Sequence, residues 1–206
     1  MADPAGGSDG SDSGTGSGMT TWYIARGAGL SALVLLSIST GIGALVSARL
    51  PGRPSSRVIA QYLHRTVASL ALAVLGLHVT AILADSFAKV GWLHALVPFT
   101  AQYRPFWVGL GTLAVYAFLL VGVTGALRGR MAGTDSGARN WRRLHAAAYA
   151  GWGLALLHGL RSGTDSGVGW VRWLYLACLV VVAGCVTARV VVGAPQSDTL
   201  PIGARA

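Results

Sequence analysis

The stretch from Val58 to Ala84, VIAQYLHRTVASLALAVLGLHVTAILA, decides the fold. It is long and apolar enough to cross roughly 30 Å of hydrocarbon at about 1.5 Å rise per residue, which predicts a transmembrane helix. Yet it carries His64 and His78, and an ionisable side chain inside a membrane is expensive unless it has a partner. A second apolar run, LHAAAYAGWGLALLHGL from Leu144 to Leu160, repeats the pattern with His145 and His158. The histidines are fourteen residues apart in the first run and thirteen in the second. Either spacing amounts to about 20 Å along a helix axis.

Working outward, the apolar stretches are roughly Trp22 to Ala48, Val58 to Ala84, Pro105 to Leu127, Trp141 to Leu160 and Trp170 to Val192. The expected fold class is therefore all-α, an integral membrane bundle of about five transmembrane helices over residues 21–192. Residues 1–20 are almost entirely Gly, Ser, Asp and Thr and are expected to form a disordered tail, and residues 193–206 a short cytoplasmic one. The leading tail lacks a basic n-region, so the first apolar run is expected to remain as an anchor. Gly91 to Phe99 is too short to span and reads as a segment lying on the membrane surface.

Composition agrees with a bilayer partner. Hydrophobic residues make up 53% of the 206 and charged ones 11%, with a mean hydropathy of +0.57, too apolar for a soluble domain of this size. The net charge of +9 comes from short arginine clusters between apolar runs, so no nucleic-acid partner is expected. Arg49, Arg53 and Arg57 lie between the first two spans, and Arg128, Arg130, Arg139, Arg142 and Arg143 between the third and fourth. Positive-inside reasoning places both clusters in the cytoplasm of a plasma-membrane protein, with the N-terminus outside and the C-terminus inside. Trp22, Trp92, Trp107, Trp170 and Trp173 then make an outer aromatic belt. Cys178 and Cys185 fall inside an apolar run and read as buried, inert thiols.

One span separates the two histidine-bearing helices, so they run in the same direction. Topology then pairs His64 with His145 near the cytoplasmic face and His78 with His158 near the outer face. Two imidazoles from facing helices can grip one haem iron from both sides, and the absence of CxxCH points to non-covalent b-type haem. The expected cofactors are two haem b groups, with the four histidines as axial iron ligands. Propionates need cations: Arg65, Arg142 and Arg143 are placed for the inner haem, and Arg26 and Arg161 for the outer one. At about 100° per residue, thirteen residues leave His158 roughly 140° from His145 on an ideal helix. Either a distortion at Gly151 or Gly153 intervenes, or the haems approach from different sides. For any one histidine alone, an ordinary interhelical hydrogen bond would suffice; four at matched depths favour cofactor binding.

On the His64/His78 and His145/His158 spacing, with weaker support from WYIARGAG at Trp22 to Gly29, the apolar chain resembles the ferric reductase-like transmembrane domain family. That family includes ferric reductases, NADPH oxidases and haem-bearing membrane subunits of methionine sulfoxide reductase systems. The resemblance implies two b haems, electron flow usually from the cytoplasmic to the outer face, and an arginine near the outer haem, for which Arg26 is the candidate. Two departures stand out: five spans rather than six, and only about a dozen residues after the last span, with no GxGxxG fingerprint. No FAD or NAD(P)H site is therefore expected within these residues, and the electron donor would be a separate flavoprotein or a membrane quinol. The acceptor would be ferric iron, oxygen or a periplasmic or extracellular protein. Two alternatives stay open: a quinone-linked cytochrome b anchor subunit, and a non-redox transporter whose histidines bind a metal ion or protons. Gly27, Ser31 and Gly41 on the first span suggest close helix contacts.

Overall fold

The computed structural model describes residues 12–48, 50, 52–85, 90–163 and 167–193, with side chains from residue 19 onward. The elements are α1 (Asp12–Ser47), α2 (Pro54–Ala84), α3 (Trp92–Leu96), α4 (Pro105–Ala126), α5 (Arg128–Met131), α6 (Asp135–His145), α7 (Ala147–Ser162) and α8 (Gly169–Gly193). Four segments, Met19–Ser47 of α1, α2, α4 and Gly169–Val192 of α8, are long and apolar enough to cross a membrane, which marks a multi-pass membrane protein. Proline opens both α2 and α4, where its fixed φ suits the helix and its missing N–H is one that would lack an intrahelical partner anyway. α3 is five residues of exposed Trp92, Leu93 and Leu96, too short to span.

One expectation is corrected. The run from Trp141 to Leu160 is not one helix, because the chain breaks at Ala146 between α6 and α7. Polar residues up to His145 make α6 amphipathic, leaving α7 with 16 residues, about 24 Å of helix. α1 begins at Asp12, inside the stretch expected to form the tail. Residues 1–11 and 194–206, Arg49, Lys89 and Asp165 lie outside the described residues.

α6 is built as a surface helix. Its N-cap Thr134 accepts a hydrogen bond from the Gly137 amide at 3.1 Å, Asp135 stands in the first turn, and Arg142, Arg143 and His145 stand in the last. That charge order complements the helix dipole at both ends.

The architecture is two helix pairs laid face to face. α1 packs along α2, and α4 packs along α7; contact between the pairs is sparser, and α8 lies against α1. Midway along the bundle the pairs meet through buried Leu36, Ala71, Phe118 and Trp152, one from each helix. The Trp152 indole N–H donates to Ser37 Oγ at 2.8 Å, and that hydroxyl donates to the Leu33 carbonyl at 2.7 Å, so the buried polar tip is satisfied. These four residues belong to one buried cluster.

Candidate functional site

The four histidines of the two apolar runs meet in two pairs, one on either side of the Ala71–Trp152 level of the buried cluster. The rings of His64 and His145 have centroids 6.3 Å apart with planes crossing at 72°. Those of His78 and His158 lie 6.4 Å apart, crossing at 74°. His94, on α3, belongs to neither pair.

Each ring is held from behind by the neighbouring helix of its own pair. His78 Nδ1 donates to the Ala25 carbonyl at 2.8 Å and His64 Nδ1 to the Ser39 carbonyl at 2.9 Å, both on α1. His158 Nδ1 donates to the Trp107 carbonyl on α4 at 2.8 Å. His145 Nδ1 lies 3.3 Å from Thr124 Oγ1, also on α4, with the Val121 main chain beside it. A carbonyl only accepts, so the imidazole hydrogen sits on Nδ1 and Nε2 keeps its lone pair. That is the tautomer needed to bind a metal through Nε2, with the second hydrogen bond fixing ring orientation.

Glycine makes these contacts sterically feasible. Four residues after each supporting backbone position stands a glycine: Gly29 after Ala25, Gly43 after Ser39, Gly111 after Trp107 and Gly125 after Val121. A Cβ at Gly111 would lie 2.7 Å from the His158 ring, at Gly29 3.0 Å from His78, at Gly43 3.1 Å from His64 and at Gly125 3.5 Å from His145. Without a side chain there, the ring lies directly on the helix backbone. The arrangement repeats along the chain: Gly29 and Gly111, Gly43 and Gly125, His64 and His145, and His78 and His158 are separated by 80 to 82 residues. One helix hairpin and its echo thus build equivalent halves of both sites.

The pairs fit a haem iron. With metal–nitrogen bonds of about 2.0–2.1 Å and roughly 1.1 Å from each nitrogen to its ring centre, two axial imidazoles would have centres about 6.3 Å apart. They suit a bare metal ion less well. Among the described residues no three His, Cys, Asp or Glu side chains converge, so a hydrated cation would find two protein ligands at most. An apolar groove of about 690 Å³ between α2 and α4, lined by residues such as Leu75, Val79 and Leu119, includes none of the histidines.

Between His145 and His158 the helix is interrupted at Ala146 rather than at Gly151 or Gly153: there the Tyr149 amide bonds the Ala146 carbonyl at 3.1 Å, a three-residue step tighter than the α-helix. Gly151 instead lets Ala117 and Phe118 pack close.

Of the arginines, Arg26 is half-buried and within electrostatic reach of both His78 and His158. Arg161 stacks over the Trp107 indole at 5.0 Å, and its own carbonyl accepts a hydrogen bond from Arg104. Arg65, Arg142 and Arg143 are exposed; the cation that acts on both His64 and His145 is Arg128, which the sequence reading did not single out for the site. Also missed were the four glycines. Gly41 does approach another helix, at Cys185 of α8, whereas Gly27 faces open space. The missing signal was present in the sequence: Gly29/Gly43 and Gly111/Gly125 share the fourteen-residue separation of His64/His78. Among 29 glycines it is easily lost.

Comparison with family models, with curated proteins and with solved structures finds no match to this chain.

Proposed function

We propose that this chain is a dihaem b-type membrane cytochrome that passes electrons across the bilayer, serving as the ferric reductase-like membrane subunit of a redox system. The observation that carries the reading is the pair of facing imidazole couples at iron-bridging distance, with ring orientation fixed from the neighbouring helix. Haem, when bound, supplies the one-electron chemistry. His64 with His145, and His78 with His158, would each hold one haem iron from both sides, leaving no open position for exogenous ligands and favouring electron transfer. Buried Leu36, Ala71, Phe118 and Trp152 keep the space between the two sites apolar. Arg26 and Arg161 outside, and Arg128 inside, are placed to hold propionates. In this reading α7 is the fifth crossing, and the donor is a separate flavoprotein or quinol on the cytoplasmic side.

A transporter or an ordinary packing role would also leave each Nδ1 bonded to a carbonyl. Neither explains why four remaining Nε2 groups are gathered two by two, each imidazole facing another imidazole.

Protein purified from a haem-replete host is expected to be red and to carry about two haems per chain, all extractable by acid acetone because the attachment is non-covalent. A reduced-minus-oxidised spectrum with a haem assay checks this. Less than half an equivalent bound, with no further uptake, sinks the haem reading.

In this reading α5 and α6, with their arginines, lie on the cytoplasmic side by the positive-inside rule. A cysteine introduced at Ser136 is expected to react with an impermeant thiol reagent only after the membrane is opened, and one at Gln102 in intact cells. The opposite pattern would exchange the inner and outer sites without altering the ring pairs.

A further inference from the structure

We propose that Trp141 is the positioning residue for His145, adding ring stacking to the main-chain support that all four histidines share. The proposal rests on the haem reading. His145 is the least constrained of the four. It ends α6, directly before the break at Ala146; its Nδ1 lies 3.3 Å from the Thr124 hydroxyl with the Val121 main chain beside it, whereas His78, His64 and His158 bond carbonyls directly at 2.8, 2.9 and 2.8 Å. The Thr124 hydroxyl is itself turned toward the Leu120 and Val121 carbonyls at 2.9 and 3.1 Å, so it offers His145 only a lone pair. The glycine beneath His145 is also the loosest, with 3.5 Å to spare where Gly111 has 2.7 Å.

Trp141 makes up the difference from one helical turn earlier. Its ring lies parallel to that of His145, with centroids 5.0 Å apart and planes 20° from each other. Trp141 is locked in turn: its indole N–H donates to the Thr124 carbonyl at 2.9 Å, and the Arg128 guanidinium covers its ring at 5.1 Å. Thr124 thus carries both rings, one on its carbonyl and one on its hydroxyl. At the outer site the aromatic neighbour has a different part: Trp107 gives His158 its carbonyl, and its ring holds Arg161. The inner iron would depend on an aromatic side chain that the outer iron does not need.

The test uses the full-length haem-loaded protein and reads spin state by electron paramagnetic resonance and carbon monoxide binding by absorption. In Trp141→Leu, one of the two haems is expected to turn partly or wholly high-spin and bind carbon monoxide, while the other stays low-spin. In Trp141→Phe, which retains a flat ring at the same turn and controls for folding, both are expected to stay low-spin. The Trp141→Leu, His145→Ala double variant is expected to match His145→Ala alone, since both changes act on the same ligand. Two unchanged low-spin haems in Trp141→Leu, or equal damage in Trp141→Phe, overturn this proposal alone. A wild-type chain that binds no haem overturns it together with the haem reading.

Discussion

The double variant His64→Ala, His145→Ala is expected to retain about one haem per chain, while His64→Ala, His158→Ala disturbs both. The first variant removes both imidazoles from a single ring pair, and the second takes one from each. Losing one axial ligand opens a coordination position, so a haem kept by the remaining histidine should become high-spin and bind carbon monoxide. The comparison is internally controlled, because each variant deletes two histidines, one from α2 and one from the α6–α7 segment. Haem content, carbon monoxide difference spectra and a membrane-insertion check on both variants decide it. Equal haem loss from two properly inserted proteins would show that these pairs do not share irons. His94→Ala is the reference and should leave the spectrum near wild type.

Gly111→Ala is expected to remove or convert the outer haem, although it adds a single methyl group. The new Cβ would lie 2.7 Å from Cε1 and Nδ1 of His158, where the ring must shift and strain or break its 2.8 Å hydrogen bond to Trp107. Helix propensity argues in the other direction, since Ala in a helix is favoured over Gly by roughly 0.5–1 kcal/mol. A loss of haem therefore cannot be blamed on a weakened α4. Gly29→Ala and Gly43→Ala, with Cβ contacts of 3.0 and 3.1 Å, should weaken their sites to a lesser degree. Gly125→Ala at 3.5 Å makes an ordinary contact, and Gly27→Ala meets nothing within 4 Å; both should keep two low-spin haems. Haem content that falls equally in all five, or in none, would mean that these glycines do not govern how the rings sit.

The membrane class of the fold was legible in the hydropathy of the sequence, and so was which ring faces which. Two spans separated by a third must run parallel, and parallel helices bring His64 level with His145 and His78 level with His158. That these rings hold iron is a proposal beyond that geometry. Less legible was whatever depends on where a helix stops. The break at Ala146 has no proline or glycine to announce it, because it arises where an amphipathic surface helix meets a short apolar one, and periodicity carries across such a joint without a mark. Sequence proximity also misled on charge. Arg65 adjoins His64 in the chain, yet neighbours in a helix point about 100° apart, whereas Arg128 reaches the site from another element altogether. The supporting carbonyls could not be read at all, because every residue has one.

The construction from two helix pairs would couple the chain's assembly to the proposed haems. Each iron would take one imidazole from α2 of the first pair and one from the α6–α7 segment packed on α4, so neither half could complete a site by itself. Haem would then behave as a clamp between halves that otherwise touch sparsely. Mass action makes such a clamp worth about 2.7 kcal/mol for each site when free haem exceeds its dissociation constant a hundredfold. A cell short of haem would therefore hold a loosely joined bundle exposed to its membrane proteases, and the amount of this protein would follow the haem supply without any change in its synthesis.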